Sequence, residues 1–90
     1  NSRLSIFGAG EKCRQLIKIL NFYGYKIEHI YDRERKKVDF WNDYIRDIND
    51  LTRDMPRYLI IASIFQYNII KELKWLSDNI NLIPICKIEV

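Results

Sequence analysis

Histidine and cysteine are scarce in this 90-residue sequence, which has one histidine, two cysteines and no C-x-x-C pair. Zinc sites need three or four such ligands at characteristic spacings, and nucleophilic catalysis needs a base beside its nucleophile. A G-x-S-x-G turn is also absent from the sequence. We therefore expect no metal and no catalytic residues in this chain, and we expect the lone His29 to be structural or to lie at the surface.

Long apolar runs and an excess of positive charge are missing as well. No run approaches the roughly 18 apolar residues of a membrane-spanning helix. The formal net charge is +3, and outside residues 33–37 the basic residues are scattered, whereas nucleic-acid binders present a broad basic surface. We expect a cytoplasmic protein with no membrane span and no nucleic-acid partner, in which Cys13 and Cys86 are reduced core residues.

Glycine and proline, at three and two residues, are too few to form a flexible linker, and no internal repeat is present. A chain of 90 residues with 48% apolar and 30% charged residues is typical of one globular domain, which we place at residues 1–90. Because the chain begins with Asn1 and enters a predicted strand within a few residues, we expect a fragment of a longer protein whose catalytic domain is missing.

Two glycines close together mark the stretch around which the rest of the chain is arranged. A short apolar run ends at Gly8-Ala9-Gly10, and an amphipathic pattern follows. This order predicts a strand over Arg3–Phe7, a tight turn, and a helix over Glu11–Tyr23. Glycine lets a ligand approach the backbone closely, and the free N–H groups at a helix start favour phosphate. The turn is therefore predicted to bind a phosphate group.

An acidic residue follows at the position expected for a ribose contact. Asp32 lies 22 residues after Gly10, at the end of a strand predicted over Tyr25–Tyr31. Dinucleotide folds place a carboxylate about 20 residues after their glycine turn. The third glycine of the G-x-G-x-x-G pattern is replaced by Cys13, which predicts looser packing of the helix on the strand. The basic cluster from Arg33 to Lys37 is a candidate for a second phosphate contact, and the alternative is a solvated charged loop.

The rest of the pattern predicts further strands and helices joined by short loops. These are an extended piece or loop at Val38–Trp41, a strand at Asp43–Arg46, a short helix at Ile48–Met55 with Asp47 as N-cap, a buried strand at Arg57–Ser63, a helix from Ser63 to about Asn79, and an edge strand at Leu82–Val90. Ser63 and Gln66 fit a capping box. The buried stripe of the last helix is predicted at Phe65, Ile69, Ile70, Leu73 and Leu76.

Alternating strands and helices predict an α/β, Rossmann-like three-layer fold with a mainly parallel five-stranded sheet in the order 3-2-1-4-5. Ligands bind such sheets at the carboxyl ends of the strands, where the strand order reverses. The reversal falls between strands 1 and 4 and brings Gly8–Glu11 close to Ala62, Ser63 and Gln66. The predicted binding residues are Gly8, Ala9, Gly10, Glu11, Lys12, Asp32, Arg33 and Ser63.

Three segments, Ile6–Glu11, Ile30–Asp32 and Tyr58–Ser63, resemble a known group of domains. They are similar to the small Rossmann-like domains of bacterial surface-polysaccharide and sugar-modifying proteins. Examples are the N-terminal domain of UDP-sugar acyltransferases and the CoA-binding-like domain of polysaccharide-biosynthesis epimerases and dehydratases. The resemblance implies a nucleotide or nucleotide-sugar ligand held by Gly8, Gly10 and Asp32, with a UDP-sugar, NAD(P) or CoA as candidates. The family often has a second aspartate where this sequence has Arg33.

Two alternatives remain open at this point. The first is an NAD(P)-binding oxidoreductase or redox-sensing domain, for which Asp32 favours NAD and Arg33 favours NADP. A chain of this length holds only about one mononucleotide-binding half, which disfavours a complete nicotinamide site. The second is a docking or dimerisation module, forming a homodimer. Its candidate anchors are the aromatic residues that the core pattern leaves over, namely Phe40, Trp41, Tyr67 and Trp75.

Overall fold

The computed structural model describes residues 4–88, and its sheet is centred on a short buried strand. This strand, β1 (Leu4–Phe7), pairs in parallel with β2 (Ile30–Asp32) on one side and with β4 (Tyr58–Ile61) on the other. The sheet continues in parallel from β2 to β3 (Arg46–Asp47) and from β4 to β5 (Asn81–Pro84). The predicted α/β fold, the parallel pairing and the strand order 3-2-1-4-5 are confirmed.

In the described part of the chain, three α-helices cover the two faces of the sheet: α1 (Glu11–Phe22), α2 (Asp50–Asp54) and α3 (Gln66–Glu72). Successive strand residues point to opposite faces, so Ile6 packs on the α1 side and Phe7 on the side of α2 and α3. The buried apolar residues of these helices are Cys13, Leu16 and Leu20 on the first side, and Leu51 and Ile69 on the second. Each large aliphatic side chain buried in this way contributes about 1.5–3 kcal/mol, so the two cores hold the three layers together.

The second and third strands are shorter than predicted because residues in their predicted ranges form backbone hydrogen bonds outside the parallel sheet. The amide of Tyr25 donates to the carbonyl of Leu20 at 2.9 Å, so Tyr25 closes α1 instead of entering β2. Ile45 exchanges two backbone hydrogen bonds with Lys36, of 2.7 and 3.3 Å, in an isolated antiparallel bridge. The backbone of Ile45 is thereby occupied, and β3 begins at Arg46.

The predicted capping box before α3 is wrong. Oγ of Ser63 accepts a hydrogen bond from the amide of Phe65 at 3.0 Å, and the side-chain oxygen of Gln66 accepts one from the amide of Cys86 at 2.9 Å. The helix therefore begins only at Gln66, and Phe65 is exposed rather than buried. The other residues of the predicted stripe pack in or against the core, namely Ile69, Ile70, Leu73 and Leu76. A 3-10 turn at Lys74–Leu76 follows the helix.

The last strand lies at the edge of the sheet, as predicted, but it is shorter. It ends at Pro84 and is followed by a 3-10 turn at Ile85–Lys87. Residues 89–90 of the predicted strand, and Arg3 at the start of the predicted first strand, lie outside the described residues.

Cys13 is buried as expected, but Cys86 is exposed. The prediction that both cysteines are core residues is therefore wrong for Cys86.

A polar network joins α2 to the sheet. The hydroxyl of Tyr31 donates to Oδ2 of Asp54 at 2.9 Å, and the guanidinium of Arg46 donates to the same oxygen at 2.8 Å. The N-cap of α2 is Asn49, so the prediction of Asp47 at this position is wrong. Asp47 instead accepts a hydrogen bond from the amide of Asn49 at 2.8 Å. Since the phenol of Tyr31 is fully buried, this network gives its hydroxyl the partner that burial requires.

Candidate functional site

A cavity of about 420 Å³ opens at the carboxyl ends of β1 and β4, where the sequence predicts a crevice. Six of the predicted binding residues line it, namely Gly8, Ala9, Gly10, Asp32, Arg33 and Ser63. Glu11 and Lys12 do not line it. The carboxylate of Glu11 accepts a weak hydrogen bond from Gln15 at 3.4 Å, and Lys12 lies along a separate groove beside Ile85. The structure thus brings the glycine turn, the strand-end acid and the start of the β4–α3 connection together.

Gly8 is required by the fold. Its φ of +107° lies in the left-handed region, which favours glycine. A Cβ at this position would stand 2.8 Å from the carbonyl oxygen of Ala62. The amide of Gly8 also donates to the carbonyl of Tyr31 at 2.7 Å. Gly8 therefore lets the end of β1 lie directly against the end of β4.

Gly10 has no such requirement. Its φ of −102° and ψ of −157° describe extended backbone, and a Cβ there would have no described atom within 4 Å. The first hydrogen bond of α1 runs from the amide of Arg14 to the carbonyl of Gly10 at 3.1 Å. Within residues 4–88, no side chain caps this helix. The N–H groups of its first turn are therefore left for a ligand or for water.

Asp32 fastens the glycine turn to the end of β2. Its Oδ2 accepts a hydrogen bond from the amide of Ala9 at 2.8 Å, and its Oδ1 accepts one from the amide of Arg33 at 2.7 Å. Nζ of Lys36 lies 3.6 Å from Oδ2. An ionised carboxylate has about four acceptor positions, so Asp32 keeps acceptor capacity for a ligand hydroxyl while it holds the turn.

The guanidinium of Arg33 reaches across to α3 and makes a bidentate ion pair with Glu72. The two N–H···O distances are 2.6 and 2.9 Å. The hydrogen bond from Arg33 lowers the pKa of Glu72, and the same bond raises the pKa of Arg33. This pair connects the loop after β2 to the helix after β4, beside the cavity.

The other basic residues of the 33–37 cluster also have partners. Arg35 pairs with the buried carboxylate of Asp50 at 3.2 Å, and Lys36 pairs with Asp32. Nζ of Lys37 lies 4.9 Å from the centre of the Tyr44 ring. The cluster is therefore a set of paired charges at the surface, in which only Arg33 lines the cavity.

Sequence reasoning missed one wall of the cavity, which α3 provides. Phe65, Asn68 and Ile69 line it, at the spacing i, i+3 and i+4 that places residues on one helix face. The same spacing predicts that Phe65 is buried, but its side chain is 61% exposed. Gln66, predicted at the crevice, points instead to Cys86.

The thiol of Cys13 is poorly placed to act as a nucleophile. Cys13 is fully buried, and burial, followed by the charge of Asp32, raises the pKa of its thiol to about 12. The thiolate, which is the nucleophilic form, is therefore disfavoured. No group of three or more His, Cys, Asp or Glu side chains in the described part of the chain could hold a metal ion.

Comparison of the chain with protein-family models, with curated proteins and with solved structures found no match. Among residues 4–88, no helix combines the length and the apolar character needed to cross a membrane. The function therefore has to be inferred from the crevice and from the sequence pattern that builds it.

Proposed function

We propose that this chain is a nucleotide- or nucleotide-sugar-binding module. In this proposal the ligand's diphosphate lies against Gly8–Gly10 and the start of α1, and a ribose hydroxyl contacts Asp32. The module would serve a cytoplasmic protein that makes or modifies cell-surface polysaccharide sugars, with catalysis supplied by another domain.

The observation that carries the proposal is the geometry of Gly10. The extended backbone there suits any residue, and a Cβ would meet no described atom within 4 Å. Neither strain nor packing explains a glycine at this position, in contrast to Gly8. Close approach of a ligand to the backbone does explain it, because Gly10 lines the cavity directly before the uncapped start of α1.

The volume and the other lining residues of the cavity support the proposal. Its volume of about 420 Å³ falls within the usual range of small-molecule sites, about 300–1,000 Å³. Asp32 offers carboxylate oxygens at the end of β2, and the exposed ring of Phe65 offers apolar surface for a base. Aromatic rings stack on bases of any type.

The sugar pathway is supported by the resemblance of Ile6–Glu11, Ile30–Asp32 and Tyr58–Ser63 to domains of surface-polysaccharide proteins. In the structure these three segments lie side by side, because β1 pairs with β2 on one side and with β4 on the other. The residues that carry the resemblance therefore lie around one crevice. A UDP-sugar is the ligand that this resemblance favours, with CoA and NAD(P) as the other candidates.

Thermal unfolding in the presence of a ligand panel tests the proposal. A ligand present at 100 times its Kd stabilises the folded state by about 2.7 kcal/mol, which raises the melting temperature measurably. The panel consists of a UDP-sugar, NADH, NADPH and CoA, and one chemical class should stabilise the protein more than the others. No shift with any of the four would contradict a nucleotide-binding function.

A second candidate function is a docking or dimerisation module, and exposed aromatic side chains favour it. Tyr67 and Trp75 are each 61% exposed. Phe40 and Trp41, the other predicted anchors, are partly buried against the core on the α1 side. Light scattering across a range of concentrations measures the mass, and substitution of Trp75 by alanine should weaken any dimer that uses this surface. A mass that stays monomeric at all concentrations would exclude the homodimer.

A further inference from the structure

The cationic and the acidic side chain that line the cavity differ in how much hydrogen-bonding capacity they have left for a ligand. Among the described residues that line it, Arg33 is the only cation and Asp32 the only carboxylate. Both N–H···O bonds of the Arg33 fork go to Glu72, at 2.6 and 2.9 Å. Both oxygens of Asp32 accept hydrogen bonds from backbone amides, one each from Ala9 and Arg33, and each keeps acceptor capacity for a further donor. The crevice therefore has a carboxylate for a hydroxyl group and an arginine whose charge is already paired.

Arginine binds carboxylate and phosphate through the same planar fork, so one partner excludes the other. Glu72 lies one helical turn after Asn68, a residue of the cavity wall. Its carboxylate is therefore placed at the side of the cavity by α3, and not by the loop that carries Arg33. A phosphate on the ribose would need the fork that Glu72 occupies, and it would also be repelled by Asp32.

We propose that Glu72 is a specificity-determining residue, which makes the crevice favour nucleotides with free ribose hydroxyls over those with an additional ribose phosphate. The inference rests on the proposed function, since it concerns the ligand of the same crevice. Glu72 would act through Arg33: when the carboxylate is removed, the guanidinium is released and can pair with the extra phosphate.

The test compares NADH with NADPH, which differ by one phosphate on the ribose. Dissociation constants are measured by fluorescence for the wild type and for Glu72→Gln. We expect the wild type to bind NADH more tightly, and the ratio of the NADPH constant to the NADH constant to fall about two- to fivefold in Glu72→Gln, the scale of an exposed ion pair. The double variant Arg33→Ala/Glu72→Gln should not show this fall, because the released guanidinium is gone.

Asp78→Asn is the matched control. It removes one carboxylate from an exposed position before β5 that does not line the cavity, so the ratio should stay at the wild-type value. Circular dichroism confirms that each variant is folded. An unchanged ratio in Glu72→Gln, or the same fall in the double variant, would overturn the role of Glu72 while leaving nucleotide binding intact.

A UDP-sugar is titrated in parallel, so that failure of the inference about Glu72 can be told apart from failure of the proposed nucleotide-binding function. If the wild type binds the UDP-sugar but neither the wild type nor Glu72→Gln binds NADPH or NADH, the inference about Glu72 is wrong and the proposed function stands. If the wild type binds none of the three nucleotides, the proposed function is wrong, and the inference fails with it.

Discussion

Gly8 and Gly10, in the turn between β1 and α1, are explained by different physical requirements. Gly8 has a left-handed φ of +107° and faces the carbonyl of Ala62, whereas Gly10 has extended backbone and open space where a Cβ would be. The sequence predicts the turn from the pair, but it cannot separate the two roles, because Ala62, which Gly8 contacts, directly follows β4 and lies more than 50 residues later in the sequence.

Alanine substitutions separate these roles through stability. Gly8→Ala should lower the free energy of unfolding by about 1–3 kcal/mol, because the new Cβ adds a clash to a strained φ. Gly10→Ala should change it by less than about 0.5 kcal/mol, since alanine fits extended backbone without strain. Urea unfolding of both variants measures this. Equal losses in the two variants would contradict the roles assigned here.

The two cysteines should react very differently with alkylating reagents. Cys13 is buried, and its thiol pKa is raised to about 12 by burial and by Asp32, whereas Cys86 is exposed beside the hydroxyl of Tyr67. At pH 8 we expect one thiol to react rapidly in the native protein and both to react in denaturant. Mass spectrometry identifies the modified residue, and Cys86→Ser should remove the rapid phase. Rapid labelling of Cys13 in the native state would contradict its burial.

At the scale of elements, α1 and the central strands follow the sequence pattern closely, because an apolar stripe and an apolar run determine them locally. The ends of the other helices and strands differ from those that the sequence pattern predicts. Tyr25 and Ile45 fit strands by composition, but their backbone groups bond to Leu20 and Lys36. Gln66 fits a capping box by spacing, but its side chain bonds to Cys86. In each case a single hydrogen-bond partner outweighs the local preference, and spacing alone does not reveal the partner.

The junction of α2 with β2 should make stability depend on pH at both extremes. Burial alone would raise the pKa of Asp54, but the hydrogen bonds from Tyr31 and Arg46 outweigh it and lower the pKa below the usual 3.8. A lowered pKa stabilises the fold above that value, and the contribution is lost as the pH falls through the folded-state pKa. Burial and the hydrogen bond to Asp54 raise the pKa of Tyr31 above the usual 10.0. This contribution is present below pH 10 and is lost as the pH rises further.

Tyr31→Phe tests this junction. The variant loses a buried hydrogen bond to a charged group, so its free energy of unfolding at pH 7 should fall by about 1.5 kcal/mol. Its stability should also decline less between pH 10 and 11 than that of the wild type, because it lacks the phenol that must ionise on unfolding. Unfolding curves in urea at pH 7, 10 and 11 give both quantities. If the stability of both proteins falls equally between pH 10 and 11, the ionisation of Tyr31 is not coupled to unfolding.

At the scale of the whole molecule, the strand order and the crevice could be predicted, because parallel strands with right-handed connections allow few arrangements. That topology brings Gly8, Asp32 and Ser63 to one edge of the sheet. It does not specify which long side chains meet there. The ion pair of Arg33 with Glu72 joins residues 39 apart in sequence and follows from the position of α3. The charge distribution around the cavity therefore could not be predicted from the sequence.

Gly10→Val provides the most direct test of the site. The ligand is the member of the panel that stabilises the wild type most, and affinity and melting temperature are measured on the same samples. Gln15→Val is the control, because it places the same side chain on an exposed position of α1 that does not line the cavity. The account predicts that Gly10→Val remains folded and loses at least about tenfold in affinity, a free energy of about 1.4 kcal/mol, while Gln15→Val binds as the wild type does. A folded Gly10→Val protein with wild-type affinity would contradict ligand binding at this turn.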